Sequence, residues 1–497
     1  HRASGMGSSE GTAYVPPITA GWLFASRELS RELRNERFKE FYKEAQTEEF
    51  ARDLRKPRLR PAYTKESLAK ALREGVDPSG RVFTPTMPRY ELSEGDVENL
   101  IAYLAELSRD WDPGVGREKI HFATIVHEDV ERERARAMID TIWAFASWMN
   151  KDTRKDVGTP GFSPYYKSEF IQAYRLWEPH GWRLTGPPET WREQLESYYE
   201  DQPVFAVLGG MVDGAFAPID AFCDDHKIPC LFPETDLPKT EQSENAYTIY
   251  YSRGLELEAE ALAHYFAGLE EPPRRIRQLA IRGPYGETGS QAFQAALAES
   301  LPETKLETRQ VGGDSLASAV SQSLAGDDGD ALVVWPGRKG AAAVDALKGA
   351  GLGALNHVVL SSNAAEAAKT AWQEAAPEQV KIISRYDDPT AVHPDSYRAR
   401  AWLRTRGLEI RDWDLQRKTF YMLKMTQFAL NHMLTDFHRD YMIEIIEHEA
   451  ENAYDTGPYP DLALGPGQRF ASKGAYIMGL TPQGEAPLTP VSDWIVP

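Results

Sequence analysis

Pro203-Val-Phe-Ala-Val-Leu-Gly-Gly-Met-Val-Asp-Gly214 is the stretch on which the fold turns. From Val204 to Leu208 no polar residue interrupts the apolar run, which suits a strand buried on both faces. Gly209 and Gly210 then mark a tight turn, because glycine enters left-handed backbone without steric cost. Ala217 to Cys223 follows with helical character, and Lys227-Ile-Pro-Cys-Leu-Phe-Pro233 opens a second strand. Strand, glycine turn, helix and strand make the repeating unit of sheets with helices on both faces.

The same texture extends in both directions. Upstream, Ile120 to Val126 reads as a strand and Glu131 to Met149 as a helix. Downstream, strand signals recur at Ala246 to Tyr251, Gln278 to Ile281, Ala331 to Trp335, His357 to Leu360 and Lys381 to Ser384. Helical stretches separate most of them, so the expectation is a mainly α/β module of two lobes spanning residues 113–497. A helical block from Asp414 to about Asn452 and an irregular Pro/Gly-rich tail close the chain. Residues 1–112 read differently, as a small all-α domain. Its clear helices lie around Glu28 to Phe50 and from Ser93 to Leu107, and Asp110-Trp-Asp-Pro-Gly-Val-Gly116 reads as a linker.

Bulk properties exclude several classes. With 497 residues and a net charge of -19, the chain lacks the clustered cations that nucleic-acid binding requires. No apolar run approaches the roughly 20 residues of a membrane span. The start at His1 without a leader reads as a processed or trimmed product. Cys223 and Cys230 are the only cysteines, and their spacing admits either a short disulfide or two buried thiols. There is no nucleophile elbow, phosphate loop or dinucleotide fingerprint, so no enzyme is expected. Glu444 and His448 share a helical face, but no third ligand matches them, and a solvated acidic face is the better reading.

The unit at Pro203 to Pro233 resembles type I periplasmic binding proteins, in particular the branched-chain amino-acid-binding branch of ABC importers. Asn245-Ala-Tyr-Thr-Ile-Tyr-Tyr-Ser-Arg253 looks like that family's crossover, and Gln278-Leu-Ala-Ile-Arg-Gly-Pro-Tyr-Gly-Glu-Thr-Gly289 like its second-lobe strand and turn. The resemblance covers about Lys119 to Leu480 and implies two lobes closing on a small polar organic solute. It also implies a periplasmic location and an ABC permease or sensor as partner. Since such sheets bind ligands beyond the carboxyl ends of their strands, the candidates sit there. They are Gly210, Met211, Asp213, Glu234, Thr235, Tyr251, Arg253, Tyr285, Trp335, Arg338, Ser361, Ser362 and Asn363. Tyr285 and Trp335 are the aromatic clamps of choice, and Arg338 a carboxylate fork. Met211 has packing as its plain alternative, and Arg253 a carboxylate partner near the hinge.

Residues 1–112 resemble a class I c-type cytochrome. The resemblance is carried by His1, Pro16-Pro17 and Thr84-Pro-Thr-Met-Pro-Arg-Tyr90 before Leu92-Ser-Glu-Gly-Asp96. It implies His1 and Met87 as axial ligands of haem iron. Both thioether cysteines are missing, so haem c is expected in an untrimmed parent and not in this chain. The alternative function it suggests is an electron-transfer accessory docking a periplasmic dehydrogenase.

Overall fold

A computed structural model describes residues 59–83, 87–106, 111–158, 175–241, 246–324, 330–349, 355–372, 377–387, 394–433, 437–450, 457–465, 467–480 and 488–497, with short pieces elsewhere. In the N-terminal region, β1 (Ser8–Glu10) pairs antiparallel with β2 (Ala13–Val15), and β3 (Arg27–Glu28) with β4 (Leu59–Arg60). Two helices follow, α1 (Lys65–Glu74) and α2 (Glu94–Glu106). Thr64 and Ser67 cap α1 reciprocally, and Gly75, at φ 71°, ends it. Leu23, Leu68 and Leu104 bury against one another between these elements. The all-α expectation is therefore corrected: the described residues include two short antiparallel pairs, and Glu28 belongs to a strand. The rest of the helix expected up to Phe50 lies outside the described residues.

The first lobe begins with β5 (Lys119–His127), α3 (Arg132–Gly158), β6 (Leu176–Leu184) and α4 (Trp191–Asp201). It continues with β7 (Ala206–Leu208), α5 (Ala217–Asp225), β8 (Cys230–Leu231) and β9 (Thr248–Ile249). These strands form one parallel sheet in the order β6-β5-β7-β8-β9. Alternation along β5 divides its core: Ile120 and Phe122 pack on the α3 side, Ala123 and Ile125 with Trp191 and Phe222 on the other. Cys223 and Cys230 are joined by a disulfide that ties α5 to β8.

The second lobe comprises α6 (Leu255–Ala267), β10 (Arg275–Ile281), α7 (Pro284–Ser300), β11 (Lys305–Val311), α8 (Leu316–Leu324) and β12 (Ala331–Trp335). Then come α9 (Gly340–Gly349), β13 (His357–Leu360), α10 (Ala365–Ala371) and β14 (Val380–Ser384). The chain next returns to the first lobe as α11 (Pro394–Thr405), α12 (Trp413–Met433) and α13 (Arg439–Glu449). There Phe420, Met422 and Leu423 enter the core beside Phe145. It finally crosses back as β15 (Tyr476–Leu480) and β16 (Leu488–Pro490), which pair antiparallel and complete the order β11-β10-β12-β13-β14-β15-β16. The expected irregular tail is thus partly sheet.

Three crossings join the lobes, and two of them pair as strands. Tyr250 N–H donates to the Arg469 carbonyl at 2.8 Å, and Ser472 N–H to the Tyr251 carbonyl at 2.6 Å. Arg469, fully buried, anchors this pairing through Glu447 at 2.6 Å and the Ala246 carbonyl at 2.6 Å.

The segment expected as a linker makes defined contacts with the first lobe. The Asp112 carboxylate accepts from the Arg439 N–H at 2.6 Å, and the Pro113 carbonyl from the Arg439 guanidinium at 3.0 Å. Gly114, at φ 92°, lies so close to the Val204–Phe205 backbone that a Cβ would stand 2.1 Å from the Phe205 nitrogen. Residues 111–116 are fastened to the first lobe rather than slack.

Candidate functional site

The carboxyl ends of both sheets face the junction of the lobes. Isolated bridges Val126–Met211 and Met211–Glu234 extend the first-lobe sheet toward it. Gly209 and Gly210, at φ 63° and 118°, turn the chain there, as the sequence suggested.

At the mouth, the Asp213 carboxylate of the first lobe meets two groups of the second. The Arg338 guanidinium stands 2.7 Å away, and the Tyr285 hydroxyl donates to it at 3.4 Å. Burial, with Asp236 and Asp213 nearby, holds the Tyr285 phenol above its usual range.

The floor is more deeply buried. A cavity of about 10 Å³ is lined by Pro233, Glu234, Thr235, Asp236, Tyr250, Tyr251, Ser252, Arg385, Tyr386, Lys418 and Tyr459. Its volume is that of about one water. Glu234 takes Arg134 on Oε1 at 3.0 Å and Lys418 on Oε2. Lys418 also donates to the Tyr386 hydroxyl at 2.9 Å, and its ammonium lies 5.0 Å from that ring's centroid. The Tyr251 and Tyr459 rings stack at 5.3 Å, and Tyr251 donates its hydroxyl to the Lys418 carbonyl at 2.5 Å. Burial opposes the Lys418 charge, but Glu234 and Tyr459 outweigh it and hold the ammonium above its usual range.

Beside it, Arg385 bridges the lobes. It pairs with Asp236 of the first lobe, and its Nε lies 2.8 Å from Glu258 of α6, close enough for an ion pair although poorly aimed for a hydrogen bond. Asn363 donates to the second Asp236 oxygen at 2.8 Å, and the Ser362 N–H to Glu258 at 3.1 Å. Burial tends to raise Asp236, but Arg385 and Asn363 overcome it and bring the carboxyl below its usual range. Glu258 goes the other way: burial prevails over Arg385, and its carboxyl is raised.

Of the residues expected from sequence, the structure brings Asp213, Tyr285 and Arg338 together at the mouth, and Glu234, Thr235 and Tyr251 around the floor. Asn363 reaches the floor through Asp236. Three others are placed away from the cavity. Trp335 is 1% exposed, lies against Gly289 and donates its indole N–H to Gln278 at 3.1 Å, so it packs the second-lobe core. Met211 is 2% exposed and belongs to the first-lobe core. Arg253 turns to Glu260, within α6, and does not line the cavity.

Sequence reasoning missed Asp236, Arg385, Tyr386, Lys418 and Tyr459. Arg385-Tyr386 directly follows the strand expected at Lys381 to Ser384, so the strand-end rule reaches them. Lys418 sits inside α12 with no local signal.

His1 lies outside the described residues. Met87 is partly exposed, and its carbonyl accepts from Arg89. The chain's two cysteines are bonded to each other in the first lobe.

No protein-family profile matches the sequence, and no curated protein matches it. Solved structures do. A branched-chain amino acid ABC transporter protein from Thermus thermophilus, solved with bound valine, is 11% identical over 76% of this chain and 97% of its own, with a TM-score of 0.57. The branched-chain amino acid transporter substrate-binding protein of Streptococcus pneumoniae, in complex with isoleucine, is 14% identical over 76% of this chain and 100% of its own, at 0.55. A fatty acid ABC transporter substrate-binding protein from Thermomonospora curvata is 14% identical over 78% and 95%, at 0.53. These neighbours are type I periplasmic binding proteins, and the likeness shows their two-lobe fold over the 76–78% of this chain that they cover.

Proposed function

We propose that this protein captures a small polar organic solute between its two lobes for an ABC-type importer or sensor. The observation that carries the reading is the inter-lobe floor, where charged and tyrosine side chains from both sheets' carboxyl ends meet at the crossings. The structural neighbours are substrate-binding proteins of such importers, and among the described residues no helix is long and apolar enough to cross a membrane.

A cavity of about 10 Å³ holds no solute, since ligand pockets run to several hundred Å³. The described state is therefore closed on itself, and capture requires the lobes to part about the crossings. Titration calorimetry against pools of amino acids, amides, aromatic acids and alcohol-derived metabolites tests the reading. One pool should give heat, and small-angle scattering should show the protein leaving its compact solute-free dimensions on adding it. Silence from every pool, with one compact form throughout, would leave a rigid scaffold instead.

A further inference from the structure

The geometry points to Lys418 and Tyr386 as the residues that select the solute, by seating an anionic oxygen group, a carboxylate in the first instance. This inference rests on the capture reading and names the chemistry of that same site. The cavity wall balances in formal charge, Arg385 and Lys418 against Glu234 and Asp236. Net charge therefore does not decide the ligand, and spare hydrogen-bonding capacity does. Each oxygen of the two carboxylates already has a protein donor: Arg134 and Lys418 on Glu234, Arg385 and Asn363 on Asp236.

The donors are not all used. The Lys418 ammonium carries three N–H groups and gives one to Glu234 and one to Tyr386. Its third has no protein acceptor among the described residues. The Tyr386 hydroxyl accepts from Lys418, and its own proton likewise has no acceptor there. Lys418 is 4% exposed on its side chain, so bulk water does not supply what is missing. An arriving ammonium would meet only oxygens that already accept a protein donor, with the Arg134, Lys418 and Arg385 cations beside them. An arriving carboxylate oxygen displaces no protein bond and meets two unused protons in a space the size of one oxygen. Leaving buried donors unsatisfied is unfavourable, so the site favours acceptors over donors.

The test uses isosteric probe sets at neutral pH: benzoate, benzamide and benzylamine, and propionate, propionamide and propylamine, each titrated into the full chain. The carboxylate of a set should bind roughly tenfold to a hundredfold tighter than its amine, the range for a charge-assisted hydrogen bond. Tyr386→Phe, which keeps the ring, should weaken the carboxylate about tenfold and leave the amine unchanged. Lys418→Met should weaken it further, with far-UV circular dichroism showing that the variant is folded. Amines binding as well as carboxylates, or Tyr386→Phe leaving the carboxylate untouched, overturns this selection while capture stands. If neither these probes nor the solute pools bind, capture itself falls and this inference with it.

Discussion

The mouth and the floor of the cleft are both closed by opposite charges from the two lobes, but in different surroundings. At the mouth, Arg338 and Asp213 keep 50% and 30% of their side chains exposed. On the floor, Arg385 keeps 5%, its partner across the lobes, Asp236, keeps 27%, and Glu258 of its own lobe keeps none. Water reaches the Arg338 guanidinium far more than that of Arg385, so the mouth pair is the more strongly screened. The difference suggests a division of labour in which the mouth opens cheaply, while the floor fixes how the lobes meet when they close.

The largest expected effect falls on the floor. Arg385→Met leaves the buried Glu258 and the half-buried Asp236 without their cation. Breaking a buried ion pair from one side costs about 3–5 kcal/mol. Urea unfolding should show a loss of that size; a loss below about 1 kcal/mol would mean the floor is as solvated as the mouth. Burial already raises Glu258 despite Arg385, so that carboxyl takes up a proton more readily once the guanidinium is gone. Some of the loss should therefore be recovered on moving toward acidic pH, which the same titration measures.

The next effect marks where the cleft stops. Trp335 ends its strand as a cleft aromatic would, yet its indole lies across Gly289 of α7. A Cβ on Gly289 would stand 2.5 Å from the ring. Gly289→Ala gains up to about 1 kcal/mol in helix propensity, against roughly 1–3 kcal/mol for overpacking the core. A net destabilisation of up to about 2 kcal/mol is expected, with benzoate affinity unchanged. A variant that is more stable, or that binds differently, would return Trp335 to the cleft.

Trp335 also shows what sequence can and cannot disclose. That its strand ends there is local information, written in the apolar run from Ala331 and the Pro336-Gly337 that follows. Which way the final side chain leans depends on a glycine 46 positions earlier, and no local pattern carries that. Asp213, Tyr285 and Arg338 were legible because strand ends in such sheets converge whatever their neighbours do. Lys418 was not, because α12 reaches the floor only by returning to the first lobe after β14 of the second. Arg253 stands between these cases: it is at the crossing, but Glu260 on the next helix claims it. In the N-terminal region, the residue pattern pointed to a helix around Glu28, and the described pairing of Arg27–Glu28 with Leu59–Arg60 departs from it.

The smallest expected effect separates the two ends of the cleft most cleanly. Arg338→Gln removes the mouth cation and leaves Tyr285 to hold Asp213. For an exposed pair the stability change should be below about 1 kcal/mol, and high salt should bring the wild type toward the variant by screening the same attraction. The lobe equilibrium should respond more visibly than stability, because even about 0.5 kcal/mol alters a balanced open-to-closed ratio roughly twofold. Small-angle scattering at low and high salt measures this: the wild type should expand with salt, and the variant should begin expanded and barely change. If the variant instead unfolds as readily as Arg385→Met, the mouth pair is a structural clamp, and the proposed contrast between a yielding mouth and a fixed floor fails.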